Sequence, residues 1–529
     1  MDAKDITYGD EARAKLASGI SKLARAVAVT IGPKGRNVLL PSPFGAPKIV
    51  NDGVTIAREV ELEDPLEKMG ADLVKDVASR TNDIAGDGTT TATVLADAMV
   101  RSGLRNLAAG SNPMAMRTGI EQAVEQVVQK LDAMSQKVEG KMIEHVATIS
   151  SQDPETGRMI AEAIEKIGTG PITTENSDTR GLTLEIKEGM QFDSGYISAH
   201  MVTDEERSTA TYENVHILAF DGKVTGPQEV IPILEGCMKA GIKELLLIVE
   251  GVEGDALPTL VVNKLRGVFH SVAVRAPGYG DRRTAMLQDI AVLTGGTAVS
   301  PALGMDISKF ELGWLGRASK VIVTKDATTI VGGKGEKLAI ENRVAQIRKE
   351  LEDAKTDFEK EKLEERLAKI AGGVAVIKVG AATEIELKEK KLRIEDAINA
   401  TRAAVAEGVV AGGGYALLLA REAIDRKGTD DQSTGRRIVF TALDAPARQI
   451  AENAGQDGAV VVAESIRLKA GYNAATDEYV DLVKAGVIDP CLVTKSALQH
   501  AASVAASFLT CEAALSPKPE KPQSDALHA

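Results

Sequence analysis

The residues best suited to chemistry sit in Gly-rich loops. Gly86-Asp-Gly-Thr-Thr-Thr91 precedes an apolar stretch, residues 92–99, that reads as a helix. A helix N-terminus presents free backbone N–H groups, and threonine hydroxyls beside it extend that anion site. Asp87 in the same loop supplies the oxygen donor that Mg²⁺ takes when it bridges phosphates. The same residue types also cap ordinary helices, so the motif alone leaves both uses open. Thr30-Ile-Gly-Pro-Lys-Gly35 is a second loop in which glycine allows close backbone approach to a phosphate. A plain turn is the commoner use of such a string. No G-x-x-x-x-G-K-[ST] motif occurs. Asp52 and Asp396 are candidate water-activating carboxylates, which phosphoryl transfer to water requires beside a metal that offsets charge. A solvated surface carboxylate is the ordinary alternative. Gly412-Gly-Gly414, inside an apolar run, lets backbone lie flat against a ligand or act as a hinge.

Helices must position these loops in the first and last thirds of the chain. Leu16, Ile20, Leu23 and Val27 recur at one-face helical spacing, as do Ile120, Val124, Val127 and Leu131. The middle third changes character. Residues 245–249 and 272–274 read as short buried strands with a helix at 257–269 between them, which predicts a βαβ unit in an α/β domain. Residues 336–370 are strongly charged with a narrow apolar seam, broken at Lys355-Thr-Asp357, and predict a helical hairpin. Segments 229–239 and 255–268 carry more apolar residues than one buried stripe needs, which leaves a second face either for a partner or for a larger core.

Bulk properties narrow the function. The 529 residues suggest about three to four domains. Aromatics are only 3%, poor for stacking on bases, and the net charge of -13 opposes phosphate backbones and anionic membranes, so neither nucleic acid nor membrane is expected as a partner. No apolar run is long enough to span a bilayer, and residues 1–10 lack the apolar core of a secretory signal. Cys237, Cys491 and Cys511 form neither metal spacing nor a disulfide framework, which suits a reducing cytoplasm. From residue 516 the chain turns polar and Pro-rich and is expected to be disordered.

The motifs, taken in order, resemble one family. Thr30-Ile-Gly-Pro-Lys-Gly-Arg-Asn37, Asp52-Gly-Val-Thr55, Gly86-Asp-Gly-Thr-Thr-Thr-Ala-Thr-Val-Leu95, Ala276-Pro-Gly-Tyr-Gly-Asp-Arg-Arg283, Ala371-Gly-Gly-Val-Ala-Val-Ile-Lys-Val-Gly380, Gly412-Gly-Gly414 and Tyr472-Asn-Ala-Ala475 look like the group I chaperonins of the GroEL type. The likeness runs from near residue 2 to near residue 515, and Ile49-Val-Asn-Asp-Gly53 is worded like the cyanobacterial and plastid branch. The resemblance implies a multidomain α+β subunit. A mainly helical equatorial ATP-binding domain would take 1–133 and 407–515, a small α/β intermediate domain 134–187 and 375–406, and an α/β apical domain 188–374, with a tail at 516–529 and Gly hinges near Gly189, Gly373 and Gly408. It implies an ATPase that binds non-native polypeptides and promotes their folding in a double ring of seven subunits, closed by a GroES-type co-chaperonin. Thr30, Ile31, Gly32 and Pro33 would border the nucleotide, Asp87 would ligate Mg²⁺, and Gly88, Thr89, Thr90 and Thr91 would meet the phosphates. Asp52 and Asp396 would prepare water; Gly413, Asn473, Ala474, Ala475 and Asp489 would hold adenine and ribose; Thr30, Asn51 and Thr90 would hold K⁺. Tyr196, His200, Met201, Ile231, Leu234, Leu257, Val261 and Val262 would line the groove for clients and co-chaperonin.

The departures from the family pattern suggest a divergent paralogue, and with it the alternative of a holdase whose ATPase is weak or uncoupled. His200 and Met201 stand where two aromatics are usual, and Met can still repack around varied clients. Ser194 replaces an Arg that pairs with the acid at Glu384, and a tail ending Ala526-Leu-His-Ala529 replaces the Gly-Gly-Met tail.

Overall fold

A computed structural model describes residues 4–41, 47–168, 170–177, 179–205, 207–354 and 356–517. The chain forms two compact units: Met1–Ala161, Asn176–Leu182 and Val379–Ala529 in the first, Glu162–Glu175 and Thr183–Lys378 in the second. Architecture is mixed helix and sheet.

The first unit is helical because its apolar residues recur at helical spacing. Leu16, Ile20, Leu23 and Val27 are all buried on helix Gly9–Ala28, and Ile120, Val124, Val127 and Leu131 on helix Pro113–Met134. Glycines set how closely helices cross. Where Gly9–Ala28 meets Pro65–Ala85, a Cβ on Gly70 would fall 1.9 Å from the Leu16 carbonyl oxygen, and one on Gly19 would fall 1.8 Å from that of Glu67. Gly119 and Gly435 do the same between Pro113–Met134 and Asp431–Ala442, at 2.0 and 2.1 Å from backbone oxygens. These crossings are backbone against backbone, and no larger residue fits them.

One expectation about the chain end is corrected. Ser516 and Pro517 belong to strand Ala513–Pro517, which pairs antiparallel with Lys4–Tyr8. Ala514 and Ser516 turn inward while their neighbours are exposed, the period-two alternation of a strand. The rest of the expected tail, 518–529, lies outside the described residues.

In the second unit the predicted βαβ is present: Glu244–Val252 and His270–Arg275 are parallel, joined through helix Ala256–Leu265. The helix stops at Leu265, short of the expected 269, where Gly267 takes a left-handed φ of 66°. His216–Val224 adds a third parallel strand, and antiparallel strands extend the sheet. The charged segment is the expected hairpin, Lys337–Asp353 and Asp357–Ala371, with Ile340, Ile347 and Ile370 buried. The fully buried Asp289 accepts from Arg343 and Arg366, one from each arm of the hairpin. That ion cluster fixes the hairpin's register on helix Asp281–Thr294. All three cysteines are free thiols. Among the described residues no helix is long and apolar enough to cross a membrane.

Candidate functional site

A cavity of about 560 Å³ opens wholly within the first unit. One wall is the start of helix Thr89–Ala108. Gly86 and Gly88, both at left-handed φ, bracket Asp87, a conformation that glycine adopts without strain. Gly88 occupies the cap position and gives the helix no side-chain cap, so the first N–H groups face the cavity without a side-chain acceptor. Helix Thr89–Ala108 starts three residues earlier than its apolar stretch suggested, which puts Thr89, Thr90 and Thr91 in the first turn.

The acids are placed by backbone donors. Asp52 caps helix Gly53–Glu59, accepting from Val54 N at 3.2 Å, Thr55 N at 3.0 Å and Thr55 Oγ1 at 2.7 Å. Capping and a place on the cavity wall are therefore both true of this residue. Gly53 lets that helix approach the next: a Cβ there would lie 2.6 Å from Thr90 Oγ1. Asp87 accepts from Gly88 N and, at 3.0 Å, from Ser150 Oγ. Burial pushes its carboxyl up, opposed by those two hydrogen bonds and assisted by the charge of Asp52. Asp489 lies on strand Ile488–Pro490, keeps a narrow face on the cavity, and is pushed up to about 7 by burial first and by Asp87 second. Asp396 reaches the same cavity from helix Glu384–Glu407. An anion-seeking helix end thus faces four carboxylates, Asp52, Asp87, Asp396 and Asp489, with Arg393 on the same cavity wall.

The structure gathers here every residue named for nucleotide, ions and water. Thr30, Ile31, Gly32 and Pro33 form one rim, with Asn51 beside Asp52; Gly413, Asn473, Ala474 and Ala475 form the rim near Asp489. Thr30 is buried, and its hydroxyl donates to Val27 O and lies 3.3 Å from that of Thr90. Gly413 has a φ of 63°, and a Cβ on it would meet nothing closer than 3.8 Å, so the backbone there lies open to a flat ligand.

Two residues with evident roles carried no sequence signal. Asn453 Nδ2 donates to the carbonyls of Ala28 and Ile31, both at 2.9 Å, and so holds the 30–33 loop in place from helix Ala445–Asn453. Ser150, on helix Met142–Ser151, orients Asp87. Each acts across a long stretch of chain, where no spacing rule applies.

A family model for the TCP-1/cpn60 chaperonins matches residues 23–519. The chain belongs to the TCP-1/cpn60 chaperonin family. It also shares its fold with a solved structure, the chaperonin gp146 from the bacteriophage EL 2 (Pseudomonas aeruginosa) in the presence of ATP-BeFx. The two are 22% identical, with a TM-score of 0.67, over 98% of this chain and 99% of that one.

In the second unit of this chaperonin, the two apolar helices present a patch. Ile231 and Val262 are 43% and 42% exposed, joined by Met238, Leu265 and Val268, while Leu257 and Val261 are half-buried. His200 is exposed and Tyr196 half-buried. Two residues expected in the groove are not at the surface. Met201 is fully buried, its sulfur accepting from Ala273 N, and Leu234 packs in the core beside Val230, Ile233 and Cys237. Burial of Leu234 follows from the wide apolar arc, since one side of helix Pro227–Lys239 covers the sheet, while Met201 is drawn in from the turn Ala199–Met201 against strand His270–Arg275. Lys264 Nζ ties the 200–202 segment to helix Ala256–Leu265 by donating to His200 O at 2.8 Å and Val202 O at 2.6 Å.

Proposed function

We propose that this chain is an ATP-hydrolysing foldase subunit of the group I, GroEL type, cytoplasmic, working in a double ring of seven with a GroES-type co-chaperonin. The observation that carries the reading is the convergence of Asp52, Asp87 and Asp396 with the uncapped start of helix Thr89–Ala108 on one cavity. ATP would lie with its phosphates on that helix end and its base against Gly413 and Asn473–Ala475. Asp87, buried and held by the neutral donors Gly88 N and Ser150 Oγ, fits Mg²⁺ as a ligand; when bound, the ion would supply charge neutralisation to the phosphates. Thr30, Asn51 and Thr90 would hold K⁺. Asp52 and Asp396 would orient the attacking water and take its proton.

The first unit would hold the equatorial domain and part of the intermediate domain, and the second the apical domain with the rest of the intermediate segments, 162–175, 183–187 and 375–378. The exposed side of its two apolar helices would capture non-native polypeptide. Nucleotide would then shift the ring toward a state with weaker client affinity, which needs only a difference in affinity between two states. Asp396→Ala tests the assignment. Single-turnover hydrolysis should slow by about two orders of magnitude, the scale of a lost general base, while ATP binding is kept. Hydrolysis at the parent rate would remove Asp396 from the mechanism. A parent chain that suppresses aggregation equally well with and without ATP and co-chaperonin, and refolds no client, would favour the holdase reading.

A further inference from the structure

A second cleft, of about 510 Å³, lies at the amino end of the parallel strands in the second unit. It shares no residue with the apolar patch. Its lining includes Glu213, His216, Lys243, Glu244, Leu315 and Arg317. Several charges elsewhere on this unit are paired, as in Lys223–Glu253 and Arg283–Asp221. Glu213, Lys243, Glu244 and Arg317 form no salt bridge among the described residues. Nε2 of His216 is buried with no partner, and so is the hydroxyl of Tyr212, which is 3% exposed and close enough to Glu244 to feel its charge. Native buried polar groups are nearly always partnered, so an orphan His216 Nε2 on a residue lining a cleft points to a molecule that completes it.

The cleft carries charges of both signs. Burial raises the Glu244 carboxyl and Glu213 raises it further, against the pull of His270. Burial lowers the His216 imidazole and Arg317 lowers it further. Glu213 and Glu244 are thus near neighbours, and Arg317 stands opposite His216 across the paired strands. A simple anion would face two carboxylates, and a simple cation would face Arg317 and Lys243. Among the described residues, those of this cleft included, no three or more His, Cys, Asp or Glu side chains are grouped to hold a metal ion by themselves. A bipolar ligand satisfies both signs of charge. We propose that this cleft binds a small zwitterion of about dipeptide size, its ammonium between Glu213 and Glu244, its carboxylate on Arg317, and a polar atom between them on His216 Nε2. The volume is in the usual range for small-molecule sites, which carry a few convergent polar groups.

The test uses the full chain and three probes: glycylglycine, N-acetylglycylglycine, which lacks the ammonium, and glycylglycinamide, which lacks the carboxylate. Calorimetry and saturation-transfer NMR should give saturable glycylglycine binding, with each truncated probe at least about tenfold weaker, as expected for losing one charged hydrogen-bonding end. Arg317→Ala should weaken glycylglycine and leave glycylglycinamide unchanged. Glu213→Gln, at the other end, should weaken glycylglycine and leave N-acetylglycylglycine unchanged, and it serves if Arg317→Ala does not fold. The proposal is overturned by equal affinity for all three probes, by folded variants that bind glycylglycine as the parent does, or by no saturation at concentrations on the order of 10 mM.

Discussion

Asp489→Asn should stabilise the nucleotide-free protein at neutral pH and change nothing near pH 4. The side chain keeps its shape and can still accept from Gly413 N, so the substitution isolates charge. The carboxyl is raised from 3.8 to about 7 by burial, then by Asp87, against the hydrogen bond from Gly413. A raised carboxylate means the folded state holds its proton more tightly than the unfolded state. Below about pH 4 both states hold it and there is no penalty. As pH rises toward 7 the unfolded state loses the proton first, so stability falls by up to about 1.4 kcal/mol per pH unit; above 7 the penalty is complete at about 4 kcal/mol. Asn removes that penalty. Urea unfolding followed by circular dichroism, in the absence of nucleotide and Mg²⁺, measures it across pH 4–8, with hydrogen exchange at Ile488–Pro490 as the local check. The gain should be absent near pH 4, half-developed near the middle of the window, and full by pH 8. A gain independent of pH, or a loss at pH 8, would refute the claim that Asp489 is an uncompensated buried acid.

Other outcomes follow from packing and from the client surface. Gly70→Ala should destabilise the first unit by at least about 1–3 kcal/mol, because a Cβ 1.9 Å from the Leu16 carbonyl oxygen forces two helices apart; a parent-like urea midpoint would contradict the crossing. Asp289→Ala should cost the second unit about 3–5 kcal/mol, since it strands Arg343 and Arg366 beside a buried site; fluorescence of Trp314, which lies in that unit, reports the unfolding. Val262→Glu should weaken suppression of client aggregation while ATP hydrolysis persists, because a charge there must be desolvated without a partner on contact with apolar chain. Unchanged suppression would move client binding to another surface.

Periodicity and punctuation made much of the molecule legible. Leu16 to Val27 and Ile120 to Leu131 write helix faces into local spacing, and all eight residues are buried. Runs of β-branched and leucine residues around 245–249 and 272–274 read as short buried strands, and they pair parallel. The Gly-Asp-Gly string permits two left-handed positions around an acid, and the folded chain uses both. What the sequence left open was every choice between two surfaces. Leu234 and Ile231 lie on one apolar helix, and spacing does not say which of them covers the sheet; packing buries the first and exposes the second. Ser516 and Pro517 read as tail because their composition is polar, yet Lys4–Tyr8 lies alongside and completes their backbone hydrogen bonds. Asn453 is an ordinary polar residue until folding brings it to the carbonyls of Ala28 and Ile31, more than four hundred residues away in the chain. Asp489 has the ordinary titration of an aspartate until tertiary structure removes its water and sets Asp87 beside it. Local sequence determines backbone preference and amphipathic spacing because those depend on near neighbours. Burial, charge pairing and the identity of the exposed face depend on distant segments, and only the folded chain decides them.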